Sequence, residues 1–402
     1  MSDLDDQLNQ KMSRYSRASD TEWGSPASAS AKPEEPAAAP QPAPSAPASP
    51  SHSARPSQAS MWSAGESMRN SDMSSTFTSS TEVTSGKKDL AEHGFLGFLN
   101  RVFHTRFART ASEMDYDHWV SSINTILRYP KVVAVVSPNG STGKSSTTQM
   151  LGSTIAHERT TGAGVVGVDI DASSILVTRM RPATRQSQRH SVAEFANSVK
   201  SGEIVTGPDV SSSLVSNEDR FGVLPGVGHT GDPNIGTDDL LVAVNKLADF
   251  NDLILLDFPG SREVPVAEEA LRWVDAMVFV VDTNKTSLDS GYHMLKQLKS
   301  AGSHLLDNCI VILNNRSGGR ILPDLNTAIA TIRQHINAGE DDPRVFQVAH
   351  DSHIYESGEM ERAKTAEYTQ RRFVEMSAAL MGVLPAESEP RFRRYMEKRS
   401  HS

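Results

Sequence analysis

Short apolar runs alternate with polar, helically spaced stretches from Lys131 to about residue 383 of the 402-residue chain. The runs are Val132–Ser137, Gly164–Asp169, Phe221–Leu224, Leu253–Asp257, Ala276–Val281, Ile310–Leu313 and Val345–Val348. They are short, rich in β-branched residues and bounded by turn-forming positions, the pattern of strands covered on both faces. Helical spacing fills most of the gaps: after Lys144, then Ser191–Lys200, Asp238–Ala248, Pro265–Trp273, Leu288–Lys299 and Leu322–Ile336. A last helix is expected over Glu361–Met381. Such alternation predicts right-handed βαβ crossovers and an α/β fold, a parallel β-sheet of about seven strands flanked by helices on both faces. Ligands of such sheets bind outside the carboxyl ends of the strands.

The flanks follow other patterns. Residues 1–88 have no core-forming period, and Pro26–Pro56 is almost entirely Pro, Ala and Ser, so a disordered arm is expected. In residues 89–130, Phe95, Phe98, Leu99, Val102, Phe103 and Phe107 recur at helical spacing among Arg101, His104, Arg106 and Arg109. Such a basic amphipathic helix suits a membrane surface or a partner groove, or it packs on the following domain with its arginines solvated. A second short helix over His118–Leu127 should end before Pro130, because the residue preceding proline disfavours helical backbone. The domain proper is read as 131–383. The basic tail, 384–402, places Phe392, Tyr395 and Met396 on one helical face. It reads as a solvated end, a membrane-targeting helix or a contact for DNA phosphates.

Charge and cysteine content narrow the picture. The net charge of −9 gives no global basic field for nucleic acid. The lone Cys309 excludes an internal disulfide and suits a reducing compartment. The polar first residues do not form a secretory signal, and no run approaches the roughly 18 apolar residues of a membrane span. A cytoplasmic chain is expected, with peripheral attachment at the inner face of the plasma membrane left open.

The richest chemistry sits after the first strand, in Ser137-Pro138-Asn139-Gly140-Ser141-Thr142-Gly143-Lys144-Ser145-Ser146. A buried strand, a Gly-rich turn and a helix start make a cradle for a polyphosphate, with backbone N–H groups and the helix dipole aimed at the anion. Lys144 would reach the β- and γ-phosphates, and the Ser145 hydroxyl would hold Mg²⁺. Where the strict phosphate-loop pattern has its first glycine, this chain has Pro138. Three further strand ends carry polar groups: Asp169 and Asp171, then Asp257-Phe258-Pro259-Gly260, then Asn314-Asn315-Arg316.

At Gly140, Gly143, Lys144 and Ser145 the chain resembles the MinD/ParA family of P-loop ATPases, whose loop reads Lys-Gly-Gly-x-Gly-Lys-Ser/Thr. It departs at Asn139, where the family's first lysine stands, and at Ser141, which replaces the second glycine. The resemblance implies ATP and Mg²⁺ as cofactors, with Gly140, Ser141, Thr142, Gly143, Lys144, Ser145 and Ser146 around the phosphates. It implies Asp257 beside the metal together with Ser145, Asp171 orienting the attacking water, Lys144 also assisting catalysis, and Asn314 pairing with the adenine edge. Asn315 is the one-residue alternative to Asn314. The loop Val348–His353 would be a second purine contact. An ATP-dependent homodimer is implied, acting as a switch that positions or regulates a secretion system or a cell-organisation complex. Partition on non-specific DNA and a non-catalytic scaffold remain alternatives. The missing first lysine, which in the family crosses to the partner's phosphates, implies weak hydrolysis. The Pro/Ala-rich arm ahead of such a domain is also similar to that of actinobacterial MinD-like proteins encoded with type VII secretion systems.

Overall fold

The computed structural model describes residues 111–171, 175–183, 190–226, 235–260, 265–316, 318, 325–339, 342–356 and 358–401. The expected disordered arm and the Phe95–Phe107 amphipathic segment lie outside these residues. Helix α1 (Ala111–Ile123) leads into β1 (Lys131–Val136). Then come α2 (Lys144–Glu158), β2 (Gly164–Asp169), the single turn α3 (Ile175–Thr178), α4 (Val192–Ser201) and α5 (Gly207–Ser213). Strands β3 (Val215–Ser216) and β4 (Gly222–Leu224) precede α6 (Thr237–Leu247), β5 (Asn251–Asp257), α7 (Pro265–Ala270) and β6 (Ala276–Asp282). The chain continues through α8 (Lys285–Ser300), β7 (Cys309–Asn314), α9 (Leu325–His335) and β8 (Val345–Val348). It closes with α10 (Ser352–Glu356), α11 (Glu367–Val383) and α12 (Arg391–Ser400).

All seven apolar runs are strands of one eight-stranded sheet, ordered β3-β4-β2-β5-β1-β6-β7-β8. Every adjacent pair is parallel except β3–β4. That antiparallel edge strand is two residues long, too short to leave a period in the sequence. Alternate residues of β1 enter opposite cores. Val133 and Val135 pack with Met150, Leu151 and Ile155 of α2 and with Phe373 and Met376 of α11. Val132, Ala134 and Val136 join the core formed by α4, α6, α7 and α8. Burial on both faces is why β1 is apolar without alternation.

The connections leaving neighbouring strands β1 and β5 part company. From β1 the chain runs through α2 on one face to β2, whereas from β5 it runs through α7 on the other face to β6. The crevice outside the carboxyl ends of β1 and β5 is therefore a topological switch point, where open α/β sheets bind ligands. Helix α2 is enclosed along most of its length, from Ser146 to Ala156. Its Ser, Thr and Gly residues let it approach the sheet closely: a Cβ on Gly152 would lie 2.3 Å from the Phe221 ring.

The C-terminal stretch is not a solvated tail. Phe392 of α12 has no exposed surface, and Tyr395 and Met396 pack beside it against the same core. The apolar face considered for a membrane is thus occupied by the protein's own interior. Polar anchors fix α12 as well. Buried Asp275 accepts the N–H of Val132 at 2.9 Å and that of Arg391 at 3.1 Å. Arg399 pairs with Asp238 at 2.9 Å. Likewise α1 packs on α11, with the Arg371 guanidinium 5.0 Å from the centre of the Trp119 ring. Buried Cys309, its thiol pushed up to about 12 by desolvation, is a core residue. Among the described residues no helix is long and apolar enough to cross a membrane.

Candidate functional site

The turn between β1 and α2 is built around the Ser137 hydroxyl. It accepts hydrogen bonds from the Asn139 N–H at 3.3 Å and the Thr142 hydroxyl at 2.8 Å, and donates to the Asn139 carbonyl. Gly143 caps α2 in the left-handed region (φ 88°) and, having no side chain, makes no cap hydrogen bond to the N–H groups of the first helical turn. Those donors and the helix dipole remain available to an anion. From across the crevice, Gly260 touches the turn: a Cβ there would lie 2.9 Å from the Gly140 Cα. Glycine at 260 thus lets the chain after β5 lie directly against the turn between β1 and α2.

Ser141 is left-handed too, at φ 58°. For a residue bearing a Cβ this costs about 1 kcal/mol, which explains why glycine suits the position. Ser141→Gly is expected to stabilise the protein by up to about 1 kcal/mol, a rise of about 2–4 °C in Tm. Differential scanning calorimetry would read this, and a fall in Tm would contradict the strain.

Asp257, at the tip of β5, is fully buried one strand away from this turn. Its Oδ1 accepts the Thr148 hydroxyl at 2.9 Å and lies 3.7 Å from Lys144 Nζ. The Ser145 hydroxyl is near enough to favour the charged form of this carboxyl. Its Oδ2 is buried with no hydrogen-bond partner. Burial raises the Asp257 pKa, while Lys144, Ser145 and Thr148 pull it back down. An orphaned carboxylate oxygen is costly unless something fills its coordination, and a hydrated Mg²⁺ is an oxygen-seeking group of the right charge. The residues present therefore fit a Mg²⁺–phosphate ligand: a hydroxyl from Ser145, an unpartnered oxygen from Asp257, a buried ammonium from Lys144 and uncapped helix N–H groups.

Three residues matter here that sequence reasoning left without a role. Asp169 is the register partner of Asp257 and equally buried. It receives the N–H of Asp171 at 3.0 Å on one oxygen and that of Leu176 at 3.1 Å on the other, so it shapes the turn that presents Asp171. Burial, followed by the Asp257 charge, pushes its pKa well above the usual carboxylate range. Thr148 was legible in principle, since it stands one helical turn after Lys144 on the same face of α2. Tyr355, on α10, had no signal, because its partner lies in β7.

Asn314 is buried at the end of β7. Its amide nitrogen donates to the Thr142 carbonyl at 2.8 Å, and its amide oxygen accepts the Tyr355 hydroxyl. The asparagine read as an adenine contact thus braces the phosphate loop in this structure. The Asn315 N–H is taken by the Val348 carbonyl. Of the two histidines in the following loop, His350 stacks on Tyr355 and His353 accepts the Glu361 N–H. No cluster of metal-ligating His, Cys, Asp and Glu occurs among the described residues. Gly140, Ser141, Thr142, Gly143, Lys144, Ser145 and Ser146 are contiguous in the loop and first turn of α2, and the structure brings Lys144, Ser145 and Asp257 together.

No protein-family profile matches this sequence, and no curated protein matches it. Solved structures do resemble it. A ParA family ATPase from Chlorobium tepidum TLS is 17% identical, over 62% of this chain and 98% of its own, at a TM-score of 0.49. The MinC:MinD cell division protein complex of Aquifex aeolicus gives 17% identity, 63% and 96% coverage and a TM-score of 0.46. The septum site-determining protein MinD of Pyrococcus horikoshii OT3, complexed with Mg-ADP, gives 17%, 62% and 94%, and 0.46. At these identities and scores the fold assignment rests on the chain's own strand order and phosphate-loop turn, and these ParA and MinD ATPases are what that fold resembles.

Proposed function

We propose that this chain is an ATP- and Mg²⁺-binding switch of the MinD/ParA kind, dimerising around the nucleotide and hydrolysing it slowly. The observation that most supports this is the meeting of Lys144, Ser145 and the unpartnered Asp257 Oδ2 at the switch point, beneath an uncapped helix start. Lys144 and the loop N–H groups would hold the triphosphate, and Ser145 and Asp257 would hold the metal with its waters. Bound Mg²⁺ supplies charge neutralisation of the β- and γ-phosphates. Asp171 would align the attacking water. Asn139 offers no ammonium, whereas Lys144 lies 3.7 Å from Asp257, whose register partner Asp169 adds a second buried carboxyl. That charge balance supports slow turnover and a strict dependence on the divalent cation.

The output we assign is positioning or regulation of a cellular machine such as a secretion or cell-organisation complex. The DNA-partition alternative draws little support from the charges. Arg181 is paired with Glu361 at 2.7 Å, Arg179 donates to the Ile354 carbonyl, and Arg399 is paired with Asp238 and Glu269. Asn139 does favour one second reading, a scaffold that binds nucleotide without turning it over. Titration calorimetry with Mg-ATP tests the core of the proposal, and absence of heat would overturn it. Light scattering behind size exclusion, with no nucleotide, ADP or ATP, tests dimerisation, and phosphate release separates the switch from the scaffold.

A further inference from the structure

The stretch that follows β8 touches both halves of the site. On one side the Tyr355 hydroxyl donates to Asn314 Oδ1, and the other end of that amide holds the Thr142 carbonyl in the phosphate loop. The same ring lies beside the N-cap of α2, 3.4 Å from where a Cβ on Gly143 would stand. On the other side the chain after α3 is bound to this stretch by backbone and side chain together. Arg179 donates from Nη1 to the Ile354 carbonyl at 2.7 Å, while its own carbonyl accepts the Met360 N–H at 2.7 Å. Met180 and Met360 form a parallel bridge, and Arg181 pairs with Glu361 at 2.7 Å. Helix α2 joins in, since the buried Gln149 amide donates to the Met360 carbonyl at 3.0 Å.

Asp171 stands between these fixed points. Upstream, Asp169 holds the N–H of Asp171 and of Leu176. Downstream, Arg179 holds the end of α3. Ile354 and Tyr355 are consecutive, so the residue that receives the Arg179 guanidinium is bonded directly to the one that braces the phosphate loop. Hydrogen bonds and one peptide unit thus run without a break from the Thr142 carbonyl through Asn314, Tyr355 and Ile354 to the Arg179 guanidinium at the end of α3.

We infer that Arg179 is a positioning residue, coupling occupancy of the phosphate loop to the placement of Asp171 through Ile354 and Tyr355. Its Nη1 donates to the Ile354 carbonyl, and it acts through Asp171. The inference rests on the nucleotide reading above, and it adds a residue and a route that the loop motif does not contain. Coupling of this kind is reciprocal, so weakening the Arg179 joint should alter how the loop reports its ligand.

The test uses the full chain and Mg-ATP. Calorimetry gives affinity, and hydrogen exchange with and without Mg-ATP gives protection of the amides of Asp171 and residues 175–180. In the wild type, ligand is expected to slow exchange there by about 10-fold. Arg179→Ala should bind Mg-ATP within about 3-fold of wild type yet lose that ligand-dependent protection, and any phosphate release should fall about 10-fold in kcat with KM little changed. Arg179→Lys, which can still donate to Ile354, should restore most of both. Tyr355→Phe should also uncouple the two sites, although Arg179 is intact. If Mg-ATP gives no heat with the wild type, the nucleotide reading fails and takes this inference with it. If heat is seen but ligand-dependent protection is absent, or is the same in wild type and Arg179→Ala, only the inference fails. A uniform loss of protection across the sheet in Arg179→Ala, without rescue by lysine, would also overturn it, by showing a purely structural role.

Discussion

Lys144→Met is expected to abolish the calorimetric signal with Mg-ATP and to make the ligand-free protein less stable at pH 8 than at pH 5, relative to wild type. The first effect follows from removing the ammonium that lies 3.7 Å from Asp257 at the end of the loop. Charge-assisted hydrogen bonds are worth about 1.5–3 kcal/mol each, so losing the phosphate contacts weakens binding by about 100-fold or more. The second effect is electrostatic. Asp257 has no exposed surface, and Lys144 Nζ lies 3.7 Å from its Oδ1. Removing one partner of a buried pair costs about 3 kcal/mol, because the remaining charge is left uncompensated.

Linkage sets the direction of the pH dependence. Burial raises the folded pKa of Asp257 above the 3.8 of the free side chain, and Lys144 is the strongest influence lowering it again. A carboxyl whose folded pKa is raised binds more protons folded than unfolded, so stability falls as pH climbs from the unfolded to the folded value. Without Lys144 the folded value rises further and this window extends upward. The penalty of Lys144→Met should therefore be small near pH 5 and grow toward pH 8. Adding Asp257→Asn removes the stranded charge and should recover most of the stability but none of the binding. Urea unfolding of the wild type and the two variants at the two pH values measures this, and a pH-independent penalty would show that the pair carries no charge in the folded protein.

The contrast between Asp257 and Asp169 shows what could be read from sequence here and what could not. Asp257 was legible because four apolar residues run straight into it, and a charge at the end of such a run must sit at a strand tip. Asp169 ends an equally apolar run, yet its contribution is to hold two backbone N–H groups of the turn after it, which depends on the path of that turn rather than on spacing. Strands of the sheet interior were legible for the same reason as Asp257: burial on both faces leaves unbroken Val, Ile and Leu. Edge strand β3 was not, since two residues carry no period. Helix α2 has no amphipathic stripe because it is enclosed on all sides, and only the loop motif before it gave its start. In α12 the helical face of Phe392, Tyr395 and Met396 was readable. Its destination was not, because a short amphipathic helix looks the same whether a membrane or the protein's own core covers it. Asn314 illustrates the same limit. Its place at a strand end was clear, but the Thr142 carbonyl and Tyr355 hydroxyl that occupy its amide come from distant parts of the chain.

Gly143→Ala is expected to cost about 3 kcal/mol of stability and to remove Mg-ATP binding, whereas Gly140→Ala three residues earlier should leave stability within about 0.5 kcal/mol of wild type. Two contributions add at Gly143. Its φ of 88° lies in the left-handed region, where a Cβ costs about 1 kcal/mol. The new Cβ would also stand 2.4 Å from Asn314 Nδ2, too close for any real contact, so the amide must leave. That breaks its bond to the Thr142 carbonyl and unseats the Tyr355 hydroxyl, and each buried bond lost costs about 1 kcal/mol or more. At Gly140 a Cβ meets nothing within 4 Å, and its φ is not left-handed. Because about two-thirds of the Gly143 penalty comes from the collision with one side chain, shortening that side chain should return part of it. The double variant Gly143→Ala with Asn314→Ala is therefore expected to be more stable than the sum of the two single changes by about 1 kcal/mol. Strict additivity in denaturant unfolding would mean that the left-handed backbone alone sets the cost, and that Asn314 does not brace the loop.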